Sequence, residues 1–446
     1  MQHKVNQYLF KQVDNSALVL FRICFGLLLA VEAFGSIATG MVRRQFVEPD
    51  FTFTFIGFEF LEPLPGDGMY ILFSIMGVAG LMVMVGYRYR VAMLFYAITW
   101  TYVYLLQKSS YNNHCYLLML LNYIMVFLPA HRSASIDAIR KPELRKEHMP
   151  RLIYVFIITL IWIVYAYASV AKFYPDWLDG SFPRYLMSIR GKEWSLLQES
   201  WTHEAIKYFG LFFDLLIVPF LLWKRTRWVA VTASVFFHIF NSVVFKIGIF
   251  PYLALSFLIF FFSVEKIHQW FLWKKTFYDK GEVIVPKYRN WILGISGIFL
   301  FIMFLLPLRH WTIKGDVFWT EEGHRLSWRM MLRSRNGSAT YTTLDKNTGQ
   351  RSIVNLKDHV SRKQLGAVQS KPDFMWQLAQ RLKKEAAAEG KDIAVFINAR
   401  VGINGRRPSQ FTDPEIDIAA TEWKYWEHAE WILPSPGYDR EENRKK

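Results

Sequence analysis

A lysine closes the fifth long apolar run of the chain, in Ala168-Ser169-Val170-Ala171-Lys172-Phe173. An amine at the lip of a membrane helix either snorkels into the headgroups or, in a dry pocket, loses its proton and becomes a base. Other polar groups also sit where lipid should be: Arg22 and Glu32 in the first run, Asp214 in the sixth, His238 with Asn241 in the seventh. A charged side chain at the bilayer centre costs about 2.5 to 3.5 kcal/mol on insertion scales, so each of these needs a partner or a task. His238 and Asn241 are three apart and share a helix face. A hydrogen-bond clamp between helices competes with a functional role at each of them, and is favoured over it for Arg22, Glu32 and Asp214 but not for His238. In the loop Lys108-Ser109-Ser110-Tyr111-Asn112-Asn113-His114, the asparagines read either as caps of the next helix or as site residues, and His114 as a wetted helix start or a catalytic group.

Other chemistries find no support. The histidines lack HExxH or another close ligand spacing, so no metal is expected, and neither a GxSxG elbow nor a P-loop occurs. Cys24 and Cys115 are the only cysteines; without CxxC there is no dithiol redox centre, and a Cys24–Cys115 disulfide is the one pairing open to them.

The elements that must position these residues are membrane helices. Of 446 residues, 52% are hydrophobic and 17% aromatic, in runs too continuous for one soluble core. Nine candidate spans lie at about 17–39, 69–87, 90–107, 114–130, 151–171, 205–223, 227–246, 248–263 and 290–308. Spans near the lower length limit make eight to ten the range. Residues 1–15 are polar and no small-residue cleavage site follows Ala17, so the first span is expected to serve as its own insertion signal.

The net charge of +16 reads as topology rather than nucleic-acid binding. Basic residues crowd the linkers after span four (Arg132, Arg140, Lys141, Arg145, Lys146, Arg151), after span six (Lys224, Arg225, Arg227) and after span eight (Lys266, Lys274, Lys275, Lys280, Lys287, Arg289), whereas the loop after span one is acidic. The positive-inside rule then puts the N-terminus in the cytoplasm and the tail outside or in a lumen. On that topology Lys172, His114 and the His238–Asn241 pair come from three separate helices but lie near one outer lip.

Residues 1–308 therefore form a multi-span transmembrane domain, and 309–446 a water-facing α+β domain. In the latter, Ala339–Thr343 and Ser352–Leu356 flank a turn at Asp345–Gly349; Pro372 opens a helix with Phe374, Leu378 and Leu382 on one face and a stop at Gly390; Ile393–Val401 alternates as a strand before an Asn404-Gly405 turn. Only Asp439–Lys446 reads as frayed.

Four stretches together resemble the vitamin K-dependent gamma-glutamyl carboxylases and their short microbial relatives: Lys108–Tyr116, Val170–Gly180, Phe237–Tyr252 and Ser327–Arg335, with a fainter echo at Asn404–Asp417. The resemblance implies that Lys172 deprotonates reduced vitamin K (menaquinol or phylloquinol). Oxygenation of the quinol to its epoxide then provides a base that takes the γ-proton of a glutamate, and carbon dioxide captures the carbanion. It further implies His114 as a catalytic residue, and Asn113, His238 and Arg335 as groups holding the quinone or the developing charge. O2 and CO2 are then co-substrates, membrane lipid and quinone the surroundings, a glutamate-containing protein the acceptor, and a separate quinone reductase the source of quinol. The chain departs from the animal enzymes at Arg329, where an acid is expected, at Arg333, where a histidine is expected, and at Ala171, where a second lysine is expected. A carboxylase, an enzyme using the same strong base on another acceptor or forming only the epoxide, and a non-catalytic membrane scaffold are the three readings; a scaffold needs neither Lys172 nor His114.

Overall fold

A computed structural model describes residues 2–436; the expected fraying at Asp439–Lys446 lies outside the described residues. All nine apolar runs are helical: α1 (Ser16–Ala38), α2 (Gly68–Val85), α3 (Tyr89–Leu106), α4 (Asn113–Phe127), α5 (Leu152–Val170), α6 (Ser200–Leu222), α7 (Arg227–Phe245), α8 (Phe250–Ser256), which turns sharply into α9 (Val264–Phe271), and α10 (Arg289–Leu305). The expected count of about nine spans is not sustained. Among the described residues six helices are long and apolar enough to cross a membrane, or seven if the pair around Ser263, bent by 119°, is one broken span. The shortfall has local causes. Tyrosines, Arg90, Thr99 and Thr101 lower the mean hydropathy of α3, and the 15 residues of α4 reach only about 22 Å against a hydrocarbon core of about 30 Å.

The bundle packs around α1. Gly26 of α1 faces the backbone of Met84, and a Cβ on Gly80 of α2 would stand 2.6 Å from the Ala30 nitrogen, so the two helices touch main chain to main chain. Small residues at such a seam let dispersion contacts replace the hydrophobic drive that lipid does not supply. Leu18, Phe21, Phe25 and Leu29 carry α1 into the core. Arg22 is a structural clamp: its guanidinium donates to the carbonyls of Ala130 (3.0 Å) and Ala134 (2.6 Å), closing the turn after α4 onto α1. Glu32 lies outside the cavity described below. Cys24 and Cys115 are both free; Cys24 sits in the first half of α1 and Cys115 in the first turn of α4, at the other end of the bundle.

At one end of the bundle, a short ribbon of β1 (Gln12–Asp14) and β2 (His148–Pro150) meets the basic linker after α9 through Lys275 Nζ on Asp14 (2.7 Å). At the other end, Phe55 and Lys108 join the strap after α1 to the loop between α3 and α4 through the Leu105 and Phe53 carbonyls.

The C-terminal region builds its own core. An antiparallel sheet runs in the order β4 (Arg351–Ile353), β3 (Arg335–Asp345), β5 (Ile393–Ile403), β6 (Ser409–Gln410). α11 (Pro372–Ala388) packs Phe374, Leu378 and Leu382 against Val395, Ile397 and Ala399. The hairpin, the Pro372 helix and the following strand all stand where the sequence puts them, and Asn404 and Gly405 both take positive φ in the turn between β5 and β6. Lys108 Nζ reaches Asp373 at 2.8 Å and Gln377 donates to the Thr54 carbonyl, fixing this sheet-and-helix layer on the bundle end that carries the α3–α4 loop. Burial opposes the charge on Asp373, but Arg325 and Lys108 outweigh it and hold the carboxyl down at about 2.

Candidate active site

Lys172 sits just past the last turn of α5, where its N–H bonds the Ser169 carbonyl at 2.8 Å. The side chain turns inward rather than toward headgroups: it is 7% exposed and forms an ion pair with Asp214 of α6, itself 5% exposed. Gly210, one turn before Asp214, leaves the space for this. A Cβ there would meet Trp177 at 3.1 Å and the Lys172 Cε at 3.8 Å. The Trp177 ring lies 5.1 Å from Nζ, and its indole N–H is bonded to the Lys207 carbonyl, so the ring's position is fixed. Snorkelling is thereby replaced by a paired, dry amine.

Lys172 and Asp214 line a cavity of about 870 Å³. His114 and Asn113 from α4, and His238 and Asn241 from α7, line the same space. Of the residues that the sequence marks for chemistry, Lys172, His114, Asn113 and His238 thus converge. Asn113 does not cap α4; its amide donates to the Arg329 carbonyl (3.0 Å) and its oxygen accepts from Tyr111 (3.1 Å). Asn112 takes the cap position, yet its side chain bonds no helix N–H. His238 Nε2 lies 2.9 Å from the Tyr165 hydroxyl.

Arg335 is elsewhere. It does not line the cavity; it donates to the carbonyls of Ser370 (2.9 Å), Phe318 (2.7 Å) and Trp319 (2.6 Å) at the start of β3. The physical reason is that β3 begins at Arg335 and carries it away from the bundle, where a guanidinium satisfies the carbonyls of the Val317–Thr320 turn. What enters the cavity from the Ser327–Arg335 stretch is Met330 and Met331. That stretch is sharply folded, with positive φ at Trp328 and Met331 and at Leu326 just before it. Non-glycine residues there are strained by about 1 kcal/mol or more each and persist only where surroundings over-determine them. Here the Tyr111 hydroxyl accepts from the Leu326 N–H (2.9 Å), Trp328 stacks on Tyr116, and Asn113 holds Arg329. Arg329 itself stacks over Phe318, 4.4 Å from its centroid, and meets His310, so the basic residue at this position serves the packing of the loop.

The Val170–Gly180 stretch is tethered from the same side. Asp176 accepts from Asn404 (2.8 Å) and pairs with Arg406, and Tyr174 bonds Asp316. This gives the faint Asn404–Asp417 echo a place: its first residues clamp the segment that follows Lys172.

From sequence Asp214 reads as a structural clamp, and Tyr165, Met330 and Met331 escape notice. Signals exist for the first two. Asp214 is a lone acid in the span after the one that Lys172 ends, and Tyr165 precedes Lys172 by seven residues, two helical turns on one face. The methionines carry none, because only the fold brings them to the bundle.

The cavity is walled almost wholly by apolar groups, and Trp194, Trp201, Phe236, Ile239 and Val243 of its lining are exposed on the outer surface beside α6 and α7. A space of this volume with a few polar groups converging at one end suits a ring with a long apolar tail. Among the described residues no group of three or more His, Cys, Asp or Glu could hold a metal ion. His238 Nδ1 is buried without a partner among the described residues, an orphan that a ring oxygen would satisfy. The residues present therefore fit a reduced prenylated quinone.

Two family models match the chain: HTTM domain over residues 10–266, more than half of the sequence, and vitamin K-dependent gamma-carboxylase, lumenal domain, over residues 288–437. No solved structure matches it. A multi-pass helical bundle with a lysine-centred apolar cavity, followed by the sheet region that the second family model covers, leaves one assignment: the chain belongs to the vitamin K-dependent gamma-glutamyl carboxylase family.

Proposed function

We propose that the protein is an integral membrane carboxylase that uses reduced vitamin K, O2 and CO2 to carboxylate glutamyl side chains. The observation that carries this is the buried Lys172–Asp214 pair in an apolar cavity shared with His114, Asn113 and His238. When bound, reduced vitamin K supplies, with O2, the strong base that removes a glutamyl γ-proton, and leaves as the epoxide. The chain's own contribution is to bind, to move one proton and to exclude water.

The pair, rather than Lys172 alone, is the base. While the shared proton sits on Nζ the amine has no lone pair to offer; with that proton on Asp214 Oδ2, Nζ can accept a second. At rest the pair is net neutral, whereas a charged lysine or aspartate alone would be stranded in the cavity, and the positive charge it gains with the second proton stands opposite the negative charge left where that proton came from. His114 packs on Phe250, with ring centroids 5.6 Å apart, and is free to meet a ring oxygen or a developing carbanion. Asn113 is held at both ends of its amide and acts by positioning Arg329 and the methionine loop. Trp177, Met330 and Met331 keep the Lys172 end dry, which carbanion chemistry requires. The exposed aromatic mouth beside α6 and α7 supports entry of the prenyl tail sideways from lipid.

The basic linkers at the β1–β2 end support a cytoplasmic N-terminus and a C-terminal region outside or in a lumen. Lacking CxxC, the protein is proposed to depend on a separate reductase for quinol and on a glutamate-containing protein as acceptor.

The test is to incubate purified protein with reduced vitamin K, oxygen, labelled bicarbonate and a glutamate-rich peptide. Epoxide with label in the peptide is the expected result; epoxide without label moves the function to another acceptor, and neither product leaves a scaffold. Lys172→Ala is expected to abolish epoxide formation while the protein still inserts. Epoxide made by that variant at the parental rate overturns the mechanism.

A further inference from the structure

The two nitrogens of His238 are treated differently. Nε2 meets the Tyr165 hydroxyl at 2.9 Å, whereas Nδ1 has no partner among the described residues and is shut off from water. Phe213, Phe237 and Phe250 stand edge-on around the ring, with interplanar angles of 77°, 79° and 79°. A flipped ring would put a carbon in place of Nε2 and break the tyrosine bond, so the hydrogen-bond partner fixes the ring's orientation. It also fixes the proton. Among the described residues the Tyr165 hydroxyl has no acceptor except His238. If Nε2–H donated to Tyr165, both the phenol proton and the Nδ1 lone pair would be left unpaired in an apolar site. If Tyr165 donates to Nε2, one group alone is left, the N–H on Nδ1.

We infer that Tyr165 is a positioning residue that locks His238 in the Nδ1–H tautomer and makes it a hydrogen-bond donor to an oxygen on the ring of the cavity's ligand. The ligand half of this inference rests on the quinone reading above; the tautomer half does not. The pair belongs to two helices, α5 and α7, so the same contact that joins the helices prepares the donor. Asp214 lies on α6 between them and keeps its carboxylate for Lys172.

The experiment uses full-length protein labelled with 15N-histidine in detergent micelles, with oxidised menaquinone of short prenyl chain as the probe. The His238 resonances are assigned by their loss in His238→Gln. The parent is expected to show the proton on Nδ1 and a shift at Nδ1 when the quinone is added. Tyr165→Phe is expected to give a mixture of tautomers, a quinone affinity lower by about ten- to hundred-fold, and an unchanged melting temperature to within a few degrees. His238→Asn, whose amide nitrogen stands near the Nδ1 position, is expected to retain affinity and to become insensitive to Tyr165→Phe; His238→Gln is not. A parental Nε2–H tautomer, or a Tyr165→Phe protein with parental affinity, overturns the inference whatever the activity. A parent that holds Nδ1–H but binds no quinone overturns the quinone reading and with it the ligand half, while the tautomer stands.

Discussion

Replacing Asp214 by Asn keeps the shape of the side chain and removes its charge and its capacity to hold a proton. Lys172 and Asp214 are 7% and 5% exposed, so the pair is buried rather than screened. Removing one member of a buried pair costs about 3–5 kcal/mol, because the other is left as an uncompensated charge. An amine can relieve this by releasing its proton, which puts Asp214→Asn near the lower end and Lys172→Met, which strands a carboxylate beside Trp177, near the upper. The double variant Lys172→Met/Asp214→Leu fills the site with apolar groups and is expected near neutral, since hydrophobic replacement of a whole buried pair often stabilises by about 1–4 kcal/mol. The stability cycle is therefore strongly non-additive. For turnover, Asp214→Asn leaves a bare amine with no acidic partner to share the proton it takes up or to hold Nζ in place, and a loss of about 10²- to 10⁴-fold in epoxide formation is expected, the usual range for a general base. Thermal unfolding in detergent and chromatographic assay of the epoxide read the two quantities separately. Activity within about threefold of the parent, or single-variant costs that add to within about 0.5 kcal/mol, would refute the reasoning.

Three further outcomes are expected. Gly80→Ala should destabilise the bundle by more than about 3 kcal/mol, because its Cβ would stand 2.6 Å from the Ala30 backbone nitrogen and no side chain can yield there; parental thermal stability would contradict the close seam. Arg335→Gln should loosen the docking of β3 by roughly 2–4 kcal/mol through loss of its three carbonyl bonds and leave the KM for quinol unchanged; a raised KM at full stability would return Arg335 to the cofactor site. His428 donates to Glu322 at 2.7 Å and to the Ile432 carbonyl at 3.1 Å, and the Glu322 bond raises its pKa above the ordinary 6.5. The charged form is thus favoured on folding: its contribution is complete below the unfolded value and is lost as pH rises through the folded one. Stability should fall modestly on the alkaline side, by less than about 1 kcal/mol after solvent screening and visible as a lowered melting temperature, and His428→Gln should flatten that slope.

Local chemistry was readable without the fold. The turn residues and periodic Phe374, Leu378 and Leu382 specified the C-terminal hairpin, helix and strand, because such elements close over a few residues. The nine apolar runs specified nine helices, but not that α3 is too polar, α4 too short and the α8–α9 pair too bent to count as ordinary spans. Hydropathy measures the whole chain against lipid, while α3 and α4 each pack one face on protein.

The site divides the same way. Lys172, His114, Asn113 and His238 carried their own signal as polar groups at helix ends and inside apolar runs, where lipid tolerates few of them. Their partners did not. Whether Asp214 clamps helices or meets Lys172, whether His238 offers one nitrogen or two, and whether Arg335 faces the cavity or the Phe318 carbonyl depend on the rotation and depth of one helix against another. The sequence determined which groups had to escape the lipid. Tertiary structure decided which of them escape together, because burial makes a charge choose a partner and only packing brings that partner within reach.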